Sequence, residues 1–212
     1  RSVLEFRRAR IGVAGDIEST MEYKIELEFG KPNEFAFQDL YFGFQEIGGG
    51  QTLLIGNQKR PYGLDHLNSS RYNVFLERPF VIEGFNQDAR RLGAAVYGLS
   101  KEKSWNWRYG VYEMTDWSKT GTIRSGTIQP ELTGRVASTY KYENDGRDYL
   151  HAAVSGSFGL PDGQTGPNDN GNQGRYRTRP EGRSSQRWLN TGRIANAETN
   201  LLLGVESANN FG

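Results

Sequence analysis

Cysteine is absent from the 212 residues, and methionine and histidine occur only twice each. No disulfide framework is available, and no His/Cys/Asp cluster has the spacing of a metal site. No stretch approaches the roughly 18 consecutive apolar residues of a membrane helix. That absence says nothing about a wall of strands, whose alternating residues cancel in any hydropathy window. Net charge is only +1, so the global basic field of a nucleic-acid binder is missing and no nucleic-acid partner is expected. Helical spacing of apolar residues never persists, because glycine interrupts every candidate. Enzyme signatures are lacking too. Gly48–Gly50 is followed by no Gly-Lys-Ser/Thr, Ser69 and Ser70 have no nucleophile-elbow context, and no pair of carboxylates stands out. The reading is of a protein without catalysis and without a cofactor.

Aromatics and glycine, by contrast, are plentiful: 11 Tyr, 11 Phe, 4 Trp and 27 Gly. Met21–Phe29 is the most informative segment. Met21, Tyr23, Ile25, Leu27 and Phe29 fall on one face of a strand, and Glu22, Lys24, Glu26 and Glu28 on the other. Its length is about that of a tilted strand crossing a bilayer. Strands are expected at Val3–Val13, Met21–Phe29, Phe35–Glu46, Thr52–Arg60, Ala89–Leu99, Trp105–Met114, Glu131–Tyr142 and Asp148–Phe158, with weaker candidates at Gln186–Asn190 and Asn200–Glu206. Short turns join alternate pairs: Gly48–Gly50, Ser100–Ser104, and Glu143–Arg147, whose Asp-Gly supplies the positive φ of a tight hairpin. Between them lie long connections at Pro61–Asp88, Thr115–Pro130 and Gly159–Ser185. The gap between the second and third strands breaks this parity by being short. Gly159–Gly174 is rich in turn formers and is expected to be exposed and mobile.

This pattern gives an all-β fold, a transmembrane antiparallel β-barrel, with greasy faces outward and charged faces toward a lumen. The candidate anion-binding residues are Arg7, Arg8, Arg10, Lys24, Lys59, Arg60, Arg71, Arg78, Arg90, Arg91 and Arg135. Guanidinium forks bind phosphate-like oxyanions bidentately, and lysine supplies a mobile point charge. Arg108 faces with Asn106, away from Trp105, Trp107 and Tyr109; Arg135 faces with Thr133, Thr139 and Lys141. His151 is placed on a lumen or surface face. The acids of the second strand weigh against a purely anion-attracting wall and could instead hold arginines in place. Trp105, Trp107, Tyr109, Tyr140 and Tyr142 lie next to short turns, as an interfacial girdle would. A rival reading makes the chain a soluble β-sandwich that binds carbohydrate through Trp105, Trp107 and Tyr109. A third makes it a small closed barrel acting as a membrane anchor.

Several segments resemble the phosphate-selective porin family (porins O and P) of Gram-negative outer membranes. They are Phe6–Arg10, Leu54–Leu64, Ser69-Ser70, Phe75–Pro79, Leu132–Val136, Tyr149–His151, Arg179–Glu181 and Asn190–Arg193, in family order over nearly the whole chain. The resemblance implies a sixteen-stranded barrel, of which this chain supplies about half as a single incomplete domain. It also implies a homotrimer in the bacterial outer membrane, in contact with its lipid, passing small oxyanions such as phosphate. Pro61–Asp88 would be the constriction loop, and Arg7, Arg8, Arg10, Lys59 and Arg60 would bind the anion. Strand-like sequence at the start and Asn209–Gly212 at the end make both termini read as cut.

Overall fold

A computed structural model describes residues 8–31, 34–73, 75, 77–85, 89–118, 127–164, 171–179 and 186–211. Nine strands form one antiparallel sheet, each pairing with the next in sequence until the last. They are β1 (Arg10–Ile17), β2 (Met21–Lys31), β3 (Glu34–Ile47), β4 (Gln51–Lys59), β5 (Arg90–Leu99), β6 (Trp105–Glu113), β7 (Pro130–Glu143) and β8 (Asp148–Gly159). A two-residue hairpin, β9 (Arg177–Thr178) with β10 (Leu189–Asn190), interrupts the chain before β11 (Asn200–Asn210) pairs with β8. Strands β1 and β11 each have one partner, so the sheet is an open barrel wall.

Period-two alternation dictates which residues share a face. Ile11 and Val13 of β1, Ile25 and Phe29 of β2, Phe42 and Phe44 of β3, and Ile55 of β4 are exposed on the outer face. The same face continues through Leu92, Val111, Leu132, Val136, Val154 and Phe158 to Leu203 and Val205, which are 82% and 87% exposed. A sandwich would cover such a face with a second sheet. Among the described residues none does, and Trp105 and Tyr109 belong to this bare apolar surface. Trp105 packs edge-on against Tyr140 near the turn end of β6 and β7, with centroids 6.1 Å apart.

The opposite, inner face is where burial happens, and it is polar. Gln58, Arg60, Arg91, Glu131, Thr133, Arg135 and Ser157 are all buried. The described residues between 60 and 85 fold over this face as a strap. The segment contains two short helices, α1 (Leu64–Leu67) and α2 (Phe80–Phe85), which apolar periodicity could not announce because neither completes two turns.

Most of the expected strands appear within a residue or two of their sequence boundaries. The first does not. Its expected span, Val3–Val13, becomes Arg10–Ile17, with residues 1–7 outside the described set. The β1–β2 turn, residues 18–20, carries no glycine, and Glu18 and Ser19 themselves take φ of 51° and 57°. Asp145 and Gly146 do supply positive φ, at 56° and 81°. The weak candidate Gln186–Asn190 shrinks to β10. A further correction concerns Gly159–Gly174. Leu160 and Gln164 are exposed as expected, but Pro161, Gly163, Gly171, Asn172 and Gly174 are buried; residues 165–170 lie outside the described set. Buried Gln129 explains it: its Oε1 accepts from the amides of Asp162 and Gln173, and its Nε2 donates to Gly171 O at 2.6 Å. One saturated side chain satisfies the backbone of a segment otherwise too polar to bury.

Candidate functional site: a cation-rich cavity under a strap

Strap residues 60–64 are seated on the β7–β8–β11 side of the inner face. Arg60 Nη1 donates to Glu131 Oε2 at 2.7 Å and to Tyr62 Oη at 2.9 Å. Glu131 also accepts from the Tyr62 hydroxyl and from Ser157 Oγ. Further along, Leu64 N donates to Glu206 Oε2 at 2.5 Å. The far end of the strap reaches toward the other edge of the sheet, where Glu77 lies 3.9 Å from Arg8. Helix α2 packs outward against the hairpin, with Phe85 on Tyr176 at 5.2 Å and Phe80 on Trp188 at 5.4 Å.

Between the strap and strands β1–β5 lies a cavity of about 990 Å³. Eight cationic side chains line it: Arg8, Arg10, Lys24, Lys59, Arg71, Arg78, Arg90 and Arg108. Five carboxylates face them, from Glu26, Glu28, Asp39, Glu83 and Asp116. Among the described lining residues, cationic side chains outnumber acidic ones by three, and they are unevenly held.

Arg10, Lys24 and Arg90 are bound up with acids. Arg10 pairs with Glu28 at 2.7 Å and Glu26 at 3.2 Å. Lys24 pairs with Asp39, and Arg90 forks onto the same carboxylate at 2.6 and 3.1 Å. Arg90 also donates to Gln38 Oε1. The acids of β2 thus hold basic side chains extended over the inner face, joining β1, β2, β3 and β5 by a ladder of charge-assisted bonds.

Lys59 and Arg78 are held differently. Lys59 Nζ donates to the carbonyls of Leu67 and Asn68 at 2.7 and 2.8 Å. Arg78 donates to the carbonyls of Asp65 and Asn68 at 2.5 and 2.9 Å. Two cations therefore converge on one carbonyl oxygen, and neither has a carboxylate within ion-pair distance among the described residues. Arg108 reaches Gln58 Oε1 at 2.5 Å, and Gln58 is anchored in turn on the carbonyls of Leu54 and Gly93. Arg71 lines the same space, as do Ser69 and Ser70. Burial disfavours the charge on Arg78 and lowers its pKa; the Glu83 carboxylate opposes that shift and the cation of Arg90 adds to it. His66, in α1, is pushed well below the usual imidazole value by burial first and the Arg60 charge second. Its Nε2 faces the Ala89 carbonyl at 3.2 Å.

Seven of the eleven sequence candidates therefore meet in one space: Arg8, Arg10, Lys24, Lys59, Arg71, Arg78 and Arg90. Three do not. Arg60 is buried in its pair with Glu131, Arg91 donates to the Met114 and Arg90 carbonyls, and Arg135 is bound to Glu206 and Asn106 beside His151. Arg7 lies outside the described residues. Arg108 joins the cavity without having been a candidate; its face was legible, its reach across to β4 was not. Asp39 was also missed, although one carboxylate in the aromatic run Phe35–Phe44 needs a cationic partner and so signals one. No cluster of His, Cys, Asp or Glu suited to a metal occurs among the described residues, and no described helix is long and apolar enough to cross a membrane.

Comparison with known proteins bears on what this cavity serves. The family model described as phosphate-selective porin O and P matches residues 1–209. An uncharacterized protein of Caulobacter vibrioides is 30% identical over 92 residues, a stretch that is 43% of this chain and 18% of that protein.

Proposed function

We propose, from the premise that this chain belongs to the phosphate-selective porin O and P family, that it forms the wall of a passive channel for small oxyanions. Members of this family are outer-membrane proteins of bacteria, and their role is passage rather than catalysis. The bare apolar face of the sheet suits lipid, and the polar inner face suits a water-filled bore. In this reading the chain sits in the outer membrane, within a homotrimer, and phosphate is the foremost solute. Pro61–Asp88 forms the constriction in this reading.

One observation carries the proposal. Lys59 and Arg78 share the carbonyl of Asn68 with no carboxylate within ion-pair distance among the described residues, beside Arg71, Arg108, Ser69 and Ser70. Two like charges on one carbonyl leave a local positive potential that a passing anion offsets. Hydroxyls and guanidinium N–H groups replace its lost hydration. The remaining lining cations, tied to Glu26, Glu28 and Asp39, guide the anion without gripping it. Arg60, Arg91 and Arg135 support the wall and strap instead.

The test is electrical. Each charge-assisted hydrogen bond is worth about 1.5–3 kcal/mol net. Lys59→Ala with Arg78→Ala is therefore expected to weaken phosphate block of chloride current in planar bilayers by at least about tenfold. Reversal potentials in a salt gradient should move away from anion preference. Wild-type block and wild-type reversal potentials in the double variant would refute the assignment.

A further inference from the structure

We infer that Glu206, on β11 and remote from the cavity, is the positioning residue that sets the width of the constriction. The inference rests on the channel reading and adds to it a mechanism for fixing the strap.

Glu206 is the point where wall and strap meet. Its Oε1 accepts from Arg135 Nε at 2.9 Å and from Arg135 Nη2, while His151 Nε2 stands 3.6 Å away. That arrangement leaves Oε2 aimed at the strap, where it accepts the Leu64 amide. Arg135 is itself buried and braced by Asn106. The carboxylate is thus held from behind before it holds anything in front, which is what a positioning group requires.

Two glycines allow the approach. A Cβ added to Gly63 would stand 3.1 Å from Glu206 Oε2. One added to Gly204 would press on Ser155 Oγ at 2.6 Å and come within 3.7 Å of the Tyr62 carbonyl. Gly63 has φ of −171°, extended backbone open to any residue, so the constraint there is space alone. Strap backbone and wall backbone meet because both lack side chains where they cross.

On the cavity side the strap is held from β4, where Lys59 Nζ donates to the carbonyls of Leu67 and Asn68 at 2.7 and 2.8 Å. Toward β1, Arg8 lies 3.9 Å from Glu77 of the strap, and the cavity occupies the space between. A strap seated at β11 and spaced from β1 by the cavity passes a displacement of Leu64 along α1 to the Leu67 and Asn68 carbonyls that border that space. Glu206 touches no passing ion. It acts through Leu64 and the helix that Leu64 begins.

The experiment compares four forms of the protein in planar bilayers: wild type, Glu206→Ala, Glu206→Gln and Gly63→Ala. Single-channel conductance and the size of polyethylene glycol excluded from the pore are the readouts. Heat-modifiable mobility and strand content by circular dichroism show that each form is folded. Glu206→Ala removes the acceptor, and Gly63→Ala crowds it without changing any charge. Both are expected to shift conductance and polymer cut-off away from wild type in the same direction, with noisier open states. Glu206→Gln keeps an oxygen for one of its two partners and leaves buried Arg135 without its balancing charge, so it too is expected to depart from wild type in the same direction. Wild-type conductance and cut-off in Gly63→Ala or in Glu206→Ala would overturn the inference. If wild type forms no anion-preferring channel, the functional reading fails instead. Amide exchange across residues 62–72 then decides the seat alone: faster exchange in Glu206→Ala and Gly63→Ala supports it, and unchanged exchange removes it.

Discussion

Glu131→Gln puts the buried root of the strap to a quantitative test. Arg60 and Glu131 are 5% and 1% exposed and meet at 2.7 Å, with Tyr62 and Ser157 completing the carboxylate's shell. Gln is nearly isosteric and still accepts hydrogen bonds, so packing is retained and only the balancing charge is lost. Leaving one member of a buried pair uncompensated costs about 3–5 kcal/mol. Here the cost falls on a local equilibrium, because releasing residues 60–68 returns Arg60 to water. At about 1.4 kcal/mol per decade, the released state should gain roughly two to three and a half orders of magnitude in population. Amides of Leu67 and Asn68, which bond to the Gly63 and Leu64 carbonyls, report that release directly. Hydrogen exchange by mass spectrometry on a peptide covering residues 60–72 is the assay, with exchange accelerated up to the limit set by the strap's intrinsic opening. A double variant, Arg60→Met with Glu131→Leu, removes both charges and should recover most of the protection, since apolar replacements of a buried pair are close to neutral. Exchange in Glu131→Gln within threefold of wild type would show that the pair is not what seats the strap.

Acid should loosen the same segment through His66. Its pKa is depressed in the folded strap and returns to about 6.5 on release. Below pH 6.5 the released form therefore binds more protons, and strap stability falls as pH drops toward the depressed value; above pH 6.5 the term vanishes. Intrinsic-rate-corrected exchange of residues 62–72 at pH 7 and pH 5 measures this, and His66→Gln, which keeps a donor for the Ala89 carbonyl, should flatten the difference. On the outer face, Ile25→Lys places a charge at mid-strand against lipid and should destabilise the fold by about 2–4 kcal/mol in vesicle-based urea unfolding. A neutral outcome there would argue that this face does not meet hydrocarbon.

The strand framework was readable because one physical rule dominates it. Where a face is uniformly apolar, as from Met21 to Phe29, alternation fixes both strand and facing. At β1 the rule weakened: Gly12 and Gly15 interrupt the alternation, and a turn built from Glu18, Ser19 and Thr20 has no glycine to mark it. Site residues were legible as to face but not as to partner. Lys59 and Arg60 are neighbours in sequence, yet one reaches the cavity and the other is paired with a glutamate 71 positions away. No local pattern encodes a pairing of that range. Burial of Gly171 and Asn172 was hidden for a similar reason, since the group that satisfies the segment is Gln129, far upstream. Arg108 shows the intermediate case, with its direction given by alternation and its destination given only by the fold.

In the proposed channel, Glu26, Glu28 and Asp39 would have one more effect on traffic. Each would compete with a visiting ion for a neighbouring guanidinium or ammonium, so residence near Arg10, Lys24 and Arg90 would be brief. Residence would be longer beside Lys59 and Arg78, which have no carboxylate within ion-pair distance among the described residues. Transit would then resemble a series of quick handovers with a single slow stop, and the flux ceiling would follow from that stop, not from how many positive groups the passage contains.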